Sequence, residues 1–164
     1  MGCGQEALKL PEAKTDFSGE CYENGDYRFK IKLYADYKKI KEEGEAVLFA
    51  EKDGNITIIF WKEGGETIKQ FYQAIYKEKE RLKDKKVLSA LGIERKPDIF
   101  EPFKVEKADS FIILTTEREG FEKIIRIKIE IFPEGSDIQI TVLGIANEKE
   151  LKRVWEMINT ITIF

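Results

Sequence analysis

Alternating runs of apolar and polar residues, joined by connections of only a few residues, constrain this 164-residue chain more than any other feature. Tyr27, Phe29, Ile31 and Leu33 alternate with Arg28, Lys30 and Lys32, the period-two pattern of a strand with one buried face. Residues 46–51 and 55–61 flank Lys52-Asp53-Gly54, and Asp-Gly between two apolar runs predicts a hairpin because both residues tolerate positive φ. Residues 110–116, 122–132 and 137–143 repeat the alternation, with Pro133-Glu134-Gly135-Ser136 as the last turn. Parallel neighbours need a crossover of about a dozen residues or more, so these strands form a largely antiparallel sheet.

Two stretches carry helical spacing. Ile68, Phe71, Tyr72, Ile75, Tyr76 and Leu82 recur at i+3/i+4 and predict a helix over 66–84, about 28 Å long. Leu151, Val154, Trp155 and Ile158 form the stripe of a helix over 148–159, with Asn147 as its cap and Glu150 at the capping-box position. Residues 35–43 read as a polar loop or helical turn closed by Gly44, and residues 87–96 favour neither helix nor strand. Pro97 and Pro102 restrict 98–101 to an edge strand or loop. Residues 160–164 alternate and add a short strand. The expectation is an α+β fold, a largely antiparallel sheet with helices packed on it as an α/β/α sandwich, over residues 25–164. Residues 1–24 read as a flexible leader.

Composition narrows the chemistry. The chain has no histidine, so no imidazole base, relay or metal ligand exists. With 28 Lys+Arg against 31 Asp+Glu the net charge is −3, which gives no global drive toward nucleic acid. Counts of 22 Lys and 23 Glu beside four each of Asn, Gln and Ser match the composition of hyperthermophile proteins. The two cysteines, Cys3 and Cys21, are too few and too far apart for a zinc or iron–sulfur site, although they allow one disulfide in an oxidising compartment. Met-Gly-Cys at the start is similar to a bacterial lipoprotein junction, with Cys3 as the lipidated residue and a polar tether behind it. No other stretch approaches the apolar length needed to cross a bilayer.

No G-x-S-x-G, Walker, G-x-G-x-x-G or EF-hand spacing occurs. Gly64-Gly65 precedes a helix and offers backbone N–H groups to an anion, but Glu63 and Glu66 repel a phosphate, so a linker turn is expected. The acid pairs Glu42/Glu43 and Glu148/Glu150 read as solvated surface. Arg28, Lys30, Lys32, Arg126 and Lys128 point outward from two strands and make one basic stripe if those strands are neighbours. Tyr34, Tyr37 and Trp61 stand at strand ends, where aromatics often line a groove.

The order of elements resembles the PsbP-like superfamily, which holds the photosystem II PsbP proteins, the yeast Ran-binding Mog-type proteins and small bacterial relatives. The resemblance rests on the aromatic strand Tyr27-Arg28-Phe29-Lys30-Ile31, on Gly44 before Val47 and Phe49, on the strand 55–60, the helix 66–84, and the final helix with its apolar tail 161–164. It departs where Leu33 or Tyr34 stands for the usual Pro and Tyr37 for the usual Trp. The resemblance implies a non-catalytic scaffold that docks on another protein, with no shared active site. The plant members' histidines have no counterpart here.

The expected function is therefore a non-enzymatic, lipid-anchored envelope protein facing outside the cytoplasm, binding a protein partner and needing no cofactor or metal. Arg28, Lys30, Lys32, Arg126, Lys128, Tyr34, Tyr37 and Trp61 are the candidate partner surface. The alternative is a soluble cytoplasmic adaptor or chaperone-like module, dimeric through a sheet edge. A carboxylate-based carrier or enzyme is the third reading.

Overall fold

Backbone pairing divides residues 8–164, which a computed structural model describes, into two antiparallel sheets. The smaller contains β1 (Gly19–Asn24), β2 (Phe29–Tyr34) and β10 (Thr162–Ile163), with β2 in the middle. The larger contains β3 (Lys38–Glu43), β4 (Ala46–Ala50), β5 (Gly54–Trp61), β6 (Ile99–Pro102), β7 (Ala108–Glu119), β8 (Glu122–Pro133) and β9 (Gln139–Asn147). Their spatial order is β3-β4-β5-β9-β8-β7-β6. Helix α1 (Gly65–Lys77), a 3-10 turn over Lys79–Lys83 and helix α2 (Lys85–Ala90) carry the chain from β5 to the far edge at β6. Helix α3 (Leu151–Ile158) follows β9.

Each face of the large sheet has its own apolar layer. On one face Phe29, Ile31 and Leu33 of β2 and Val154, Met157 and Ile158 of α3 bury Ile56, Ile58, Ile127, Ile129, Ile140 and Val142. Gly144 lets α3 approach, since a Cβ there would lie 2.7 Å from Val154 Cγ1. On the other face Tyr72, Ile75, Leu82, Val87, Leu88 and Leu91 pack on Phe100, Phe111, Ile113 and Phe132. The antiparallel α+β expectation holds, with one refinement: the layer over the first face is a second sheet plus one helix.

Four expectations change. The helix predicted over 66–84 ends at Lys77, where Glu78 leaves helical geometry at φ −121 and ψ 67. Tyr76 has by then reached Phe100 on the edge strand, 6.3 Å between rings, and a straight continuation would overshoot the sheet. The turn folds Leu82 and α2 back onto the same aromatic surface. Residues 38–43, read as loop or turn, form β3; all six are exposed, so neither face left an apolar signature.

The leader reading fails from residue 8 onward. Leu8, Leu10, Ala13 and Phe17 pack against the first core, Phe17 stacks on Tyr34 with centroids 4.0 Å apart, and β1 pairs along all of β2. Apolar residues spaced without period along a polar segment hide such packing. Finally, the 51–54 hairpin needs its glycine for space, because neither Asp53 nor Gly54 has positive φ. A Cβ on Gly54 would lie 2.5 Å from the Tyr37 hydroxyl and 2.9 Å from Glu150 Cγ.

Candidate functional site

The helical layer covers only part of its face. In β4 the residues Val47 and Phe49 are buried while Ala46, Leu48 and Ala50 stay half-exposed, and β5 alternates the same way. Register defines rows across this face: Lys41–Leu48–Thr57–Leu143–Lys128–Ile113 and Lys38–Ala50–Asn55–Ile145–Arg126–Thr115. Leu48, Ile59, Leu143 and Ile145 belong to neither apolar core. Trp61, 47% exposed, stands at the end of β5 beside them. Where β9 meets β8 the bare face deepens into a cleft of about 360 Å³ between these strands and the loop Gly92-Ile93-Glu94-Arg95.

A polar network lies on the same face and reaches the cleft through Lys128. The Trp61 indole N–H donates to Thr141 Oγ1 at 3.1 Å, and the Thr141 hydroxyl donates to Glu130 at 2.9 Å. Gln139 also donates to Glu130, whose side chain is 1% exposed, and Lys128 Nζ lies 3.6 Å from it while donating to the Leu91 carbonyl at 2.5 Å. Burial pushes the Glu130 carboxyl above its usual range, against the pull of Lys128 and the donors from Gln139 and Thr141. The folded state therefore binds its proton more tightly than the unfolded chain, and Glu130 subtracts from stability as pH rises from about 4.5 through the raised value. Glu130→Gln should gain on the wild type over that rise, read as the difference between urea unfolding free energies at several pH values. A flat difference would mean the carboxylate is fully compensated.

The eight residues singled out in the sequence separate into two groups. Trp61, Arg126 and Lys128 lie on the bare face but apart along it, Trp61 opposite Gln139 at the end of β5 and the two cations in the rows of Asn55 and Thr57. Arg28, Lys30, Lys32, Tyr34 and Tyr37 belong to the small sheet or its edge, so the single basic stripe does not assemble: β2 and β8 lie in different sheets. Lys30 pairs with Glu23 at 3.4 Å, and Lys32 donates to the Thr15 carbonyl while lying over the Phe17 ring. Tyr34 donates to buried Glu156 at 2.9 Å, and burial, helped by that bond, raises its hydroxyl to about 12. Tyr37 donates to Glu150, and Arg153 bridges Glu150 and Asp36 with its guanidinium over both tyrosine rings.

The expected Asn147 cap and helix start at 148 do not hold: α3 starts at Leu151, with Glu150 at its cap position and no side-chain cap bond. Asn147 closes the preceding turn, its Oδ1 accepting from the Glu150 N–H at 2.9 Å, and the Glu150 side chain turns to Tyr37 and Arg153. The Gly64 and Glu66 amides already hold an anion, the Asp137 carboxylate, which accepts from them at 2.8 and 2.9 Å and is lowered by those bonds, while the Gly65 amide donates to the Asp137 carbonyl. Of the acid pairs, Glu42 and Glu43 are held by Lys39 and Lys41. Cys3 lies outside the described residues. Among the described residues, no helix is long and apolar enough to cross a membrane, and no group of three or more Cys, Asp or Glu is placed to hold a metal ion.

Leu48, Ile59, Leu143, Ile145 and Arg95 escaped the sequence reading. One signal was present: in Ile58-Ile59 and Val142-Leu143 apolar residues fill both phases of the alternation, so each strand has two apolar faces. That pattern does not say whether the second face is covered.

No protein-family model matches the chain, and no curated protein matches it in sequence. Solved structures do match in shape. A protein of Bacteroides thetaiotaomicron aligns with TM-score 0.59 at 13% identity, over 90% of this chain and 49% of its own, so the chain spans about half that protein's length. A point mutant of protein Mog1 aligns with TM-score 0.50 at 9% identity over 90% of this chain and 96% of its own. LpqN of Mycobacterium tuberculosis, described as involved in cell envelope biogenesis, aligns at 0.47 with 10% identity over 88% and 90%. At such identities the likeness is one of fold alone, an α+β arrangement shared with Mog1.

Proposed function

We propose that this chain is a non-enzymatic binding module, held at the outside of the cell envelope by a lipid on Cys3, whose bare sheet face docks a protein partner. One observation carries the reading. Ala46, Leu48, Ile59, Leu143 and Ile145 form a half-exposed apolar surface, broken only by Thr57 and Asn55 of β5, with the indole of Trp61 at one end and cations at its borders. A large apolar patch rimmed by polar groups is the usual mark of a protein interface, and an exposed Trp is a frequent anchor there. Catalysis has no comparable support: the buried carboxylates of Glu130, Glu150 and Glu156 are each occupied by donors from the protein itself.

Leu48→Asp and Trp61→Ala test the docking surface in the full chain expressed in its own host. Each should lower recovery of the partner about ten-fold or more while the protein keeps a cooperative unfolding transition, Trp61→Ala at some cost in stability because it also gives up the bond to Thr141. Unchanged recovery with both variants removes the face from the reading. The anchor is tested separately, by intact mass of membrane and soluble fractions. A diacylglyceryl mass at Cys3 supports it; an unmodified soluble chain retaining Met1 replaces it with the cytoplasmic adaptor.

A further inference from the structure

We infer that the bare face receives an amphipathic helix of the partner, lying along β5 and β9 with acidic residues on both flanks of its apolar stripe. This rests on the docking reading above and specifies what docks. The dimensions come first. From β3 to β8 the face spans four strand spacings, about 19 Å. A helix with its side chains is about 10–12 Å across, so one helix fits over β5 and β9 with its flanks toward the two borders. The eight residues of β5 extend about 27 Å, room for about five turns. On the same face α1 and α2 already cover β6, β7 and β8, so the incoming helix continues a helical layer that stops halfway.

Charge sets the flanks. Register turns Lys38 and Lys41 of β3 onto this face beside Ala50 and Leu48, and Arg126 and Lys128 of β8 onto it beside Ile145 and Leu143. Arg95 stands behind Arg126, donating to the Thr116 carbonyl at 3.3 Å. Glu43 holds Lys41 at 2.9 Å and Glu117 holds Arg126 at 2.5 Å, while among the described residues neither Lys38 nor Arg95 has a carboxylate within salt-bridge reach. Each border therefore keeps one uncommitted cation, with Ala50, Leu48, Leu143 and Ile145 between them and the small polar side chains of Asn55 and Thr57 along the middle. A second copy of this chain fits less well: Lys38 and Arg95 would require acids on the copy's bare face, where Glu43 and Glu117 are already paired and Glu130 is buried, which leaves Glu94 of the cleft loop to serve two cations on opposite borders.

The probe is a displayed library of 20-residue helices with a fixed leucine stripe and flank positions drawn from Glu, Lys, Gln and Ala, selected on the full-length protein. Selected helices should be enriched in Glu on both flanks. Selection on Lys38→Glu should reverse the preference on one flank only, and on Arg95→Glu/Arg126→Glu on the other. Leu48→Arg should weaken the selected helices about ten-fold or more. Random flank charge, retained binding to Leu48→Arg, or no enrichment overturns the helix. A photo-crosslinker at position 48 in the native host separates this from the broader reading: a crosslinked partner segment that is extended or basic sinks the helix alone, and no crosslink at all sinks the docking face.

Discussion

Gly65→Ala should cost about 2–3 kcal/mol, the upper part of the range of about 1–3 kcal/mol for forcing extra carbon into a filled site. A Cβ on Gly65 would lie 2.6 Å from both the Asp137 and the Ile138 carbonyl oxygens. Backbone on two sides cannot rotate away as a side chain would. The Gly65 N–H also donates to the Asp137 carbonyl at 2.9 Å, so moving the strand start aside gives up that bond and loosens the side-chain cap at Gly64 and Glu66. For a chain of this size the melting temperature should fall by about 4–12 °C. Gly64→Ala is the control. Gly64 has φ +88 with open space where its Cβ would be, so alanine there meets backbone strain of about 1–2 kcal/mol and no collision. Equal losses at both positions would show that helix entry depends on conformation alone.

Arg153→Ala should cost about 3 kcal/mol near neutral pH, the lower end of the range for removing one partner of a buried pair, since the guanidinium is partly open to water. Arg153 lies 3.2 Å from Glu150, whose side chain is 7% exposed, and pairs with Asp36 on the β2–β3 connection. Two opposite titrations give the loss a pH signature. The Arg153 guanidinium holds the Asp36 carboxyl below its usual range, so its stabilisation is present above the unfolded value near 4 and fades as pH falls through the lowered one. Burial raises Glu150, so protonation removes the buried charge that the variant leaves exposed to desolvation. The gap between wild type and variant should therefore narrow as pH drops from 7 toward 3. Glu150→Gln in the Arg153→Ala background should recover part of the loss. A gap constant with pH would assign the effect to lost packing over Tyr34 and Tyr37 instead.

The division between the two levels is visible in particular residues. Alternation along residues 27–33, 46–61 and 122–143, with the short connections between them, was sufficient to determine strands, antiparallel pairing and which residues face inward, because side-chain direction in a strand depends only on residue parity. The apolar stripe of α3 was equally local, although the helix starts at Leu151 rather than at a cap on Asn147. Strand order was not local. Whether Arg28, Lys30 and Lys32 meet Arg126 and Lys128 depends on which strands become neighbours, and that follows from how α3 and the small sheet close over the large one. The strand β3 left no trace in the sequence because no side chain of it is buried on either face. Leu8 to Phe17 left little, since packing of irregular backbone has no period.

The candidate site divides in the same way. Apolar residues in both phases at Ile58-Ile59 and Val142-Leu143 say that a strand has two apolar faces, a property of each strand taken singly. That one such face stays bare over β4, β5 and β9 depends on α1 ending at Lys77, where it reaches the sheet edge at Phe100. Burial is a relation between distant segments, and only the closed molecule brings those segments within contact distance.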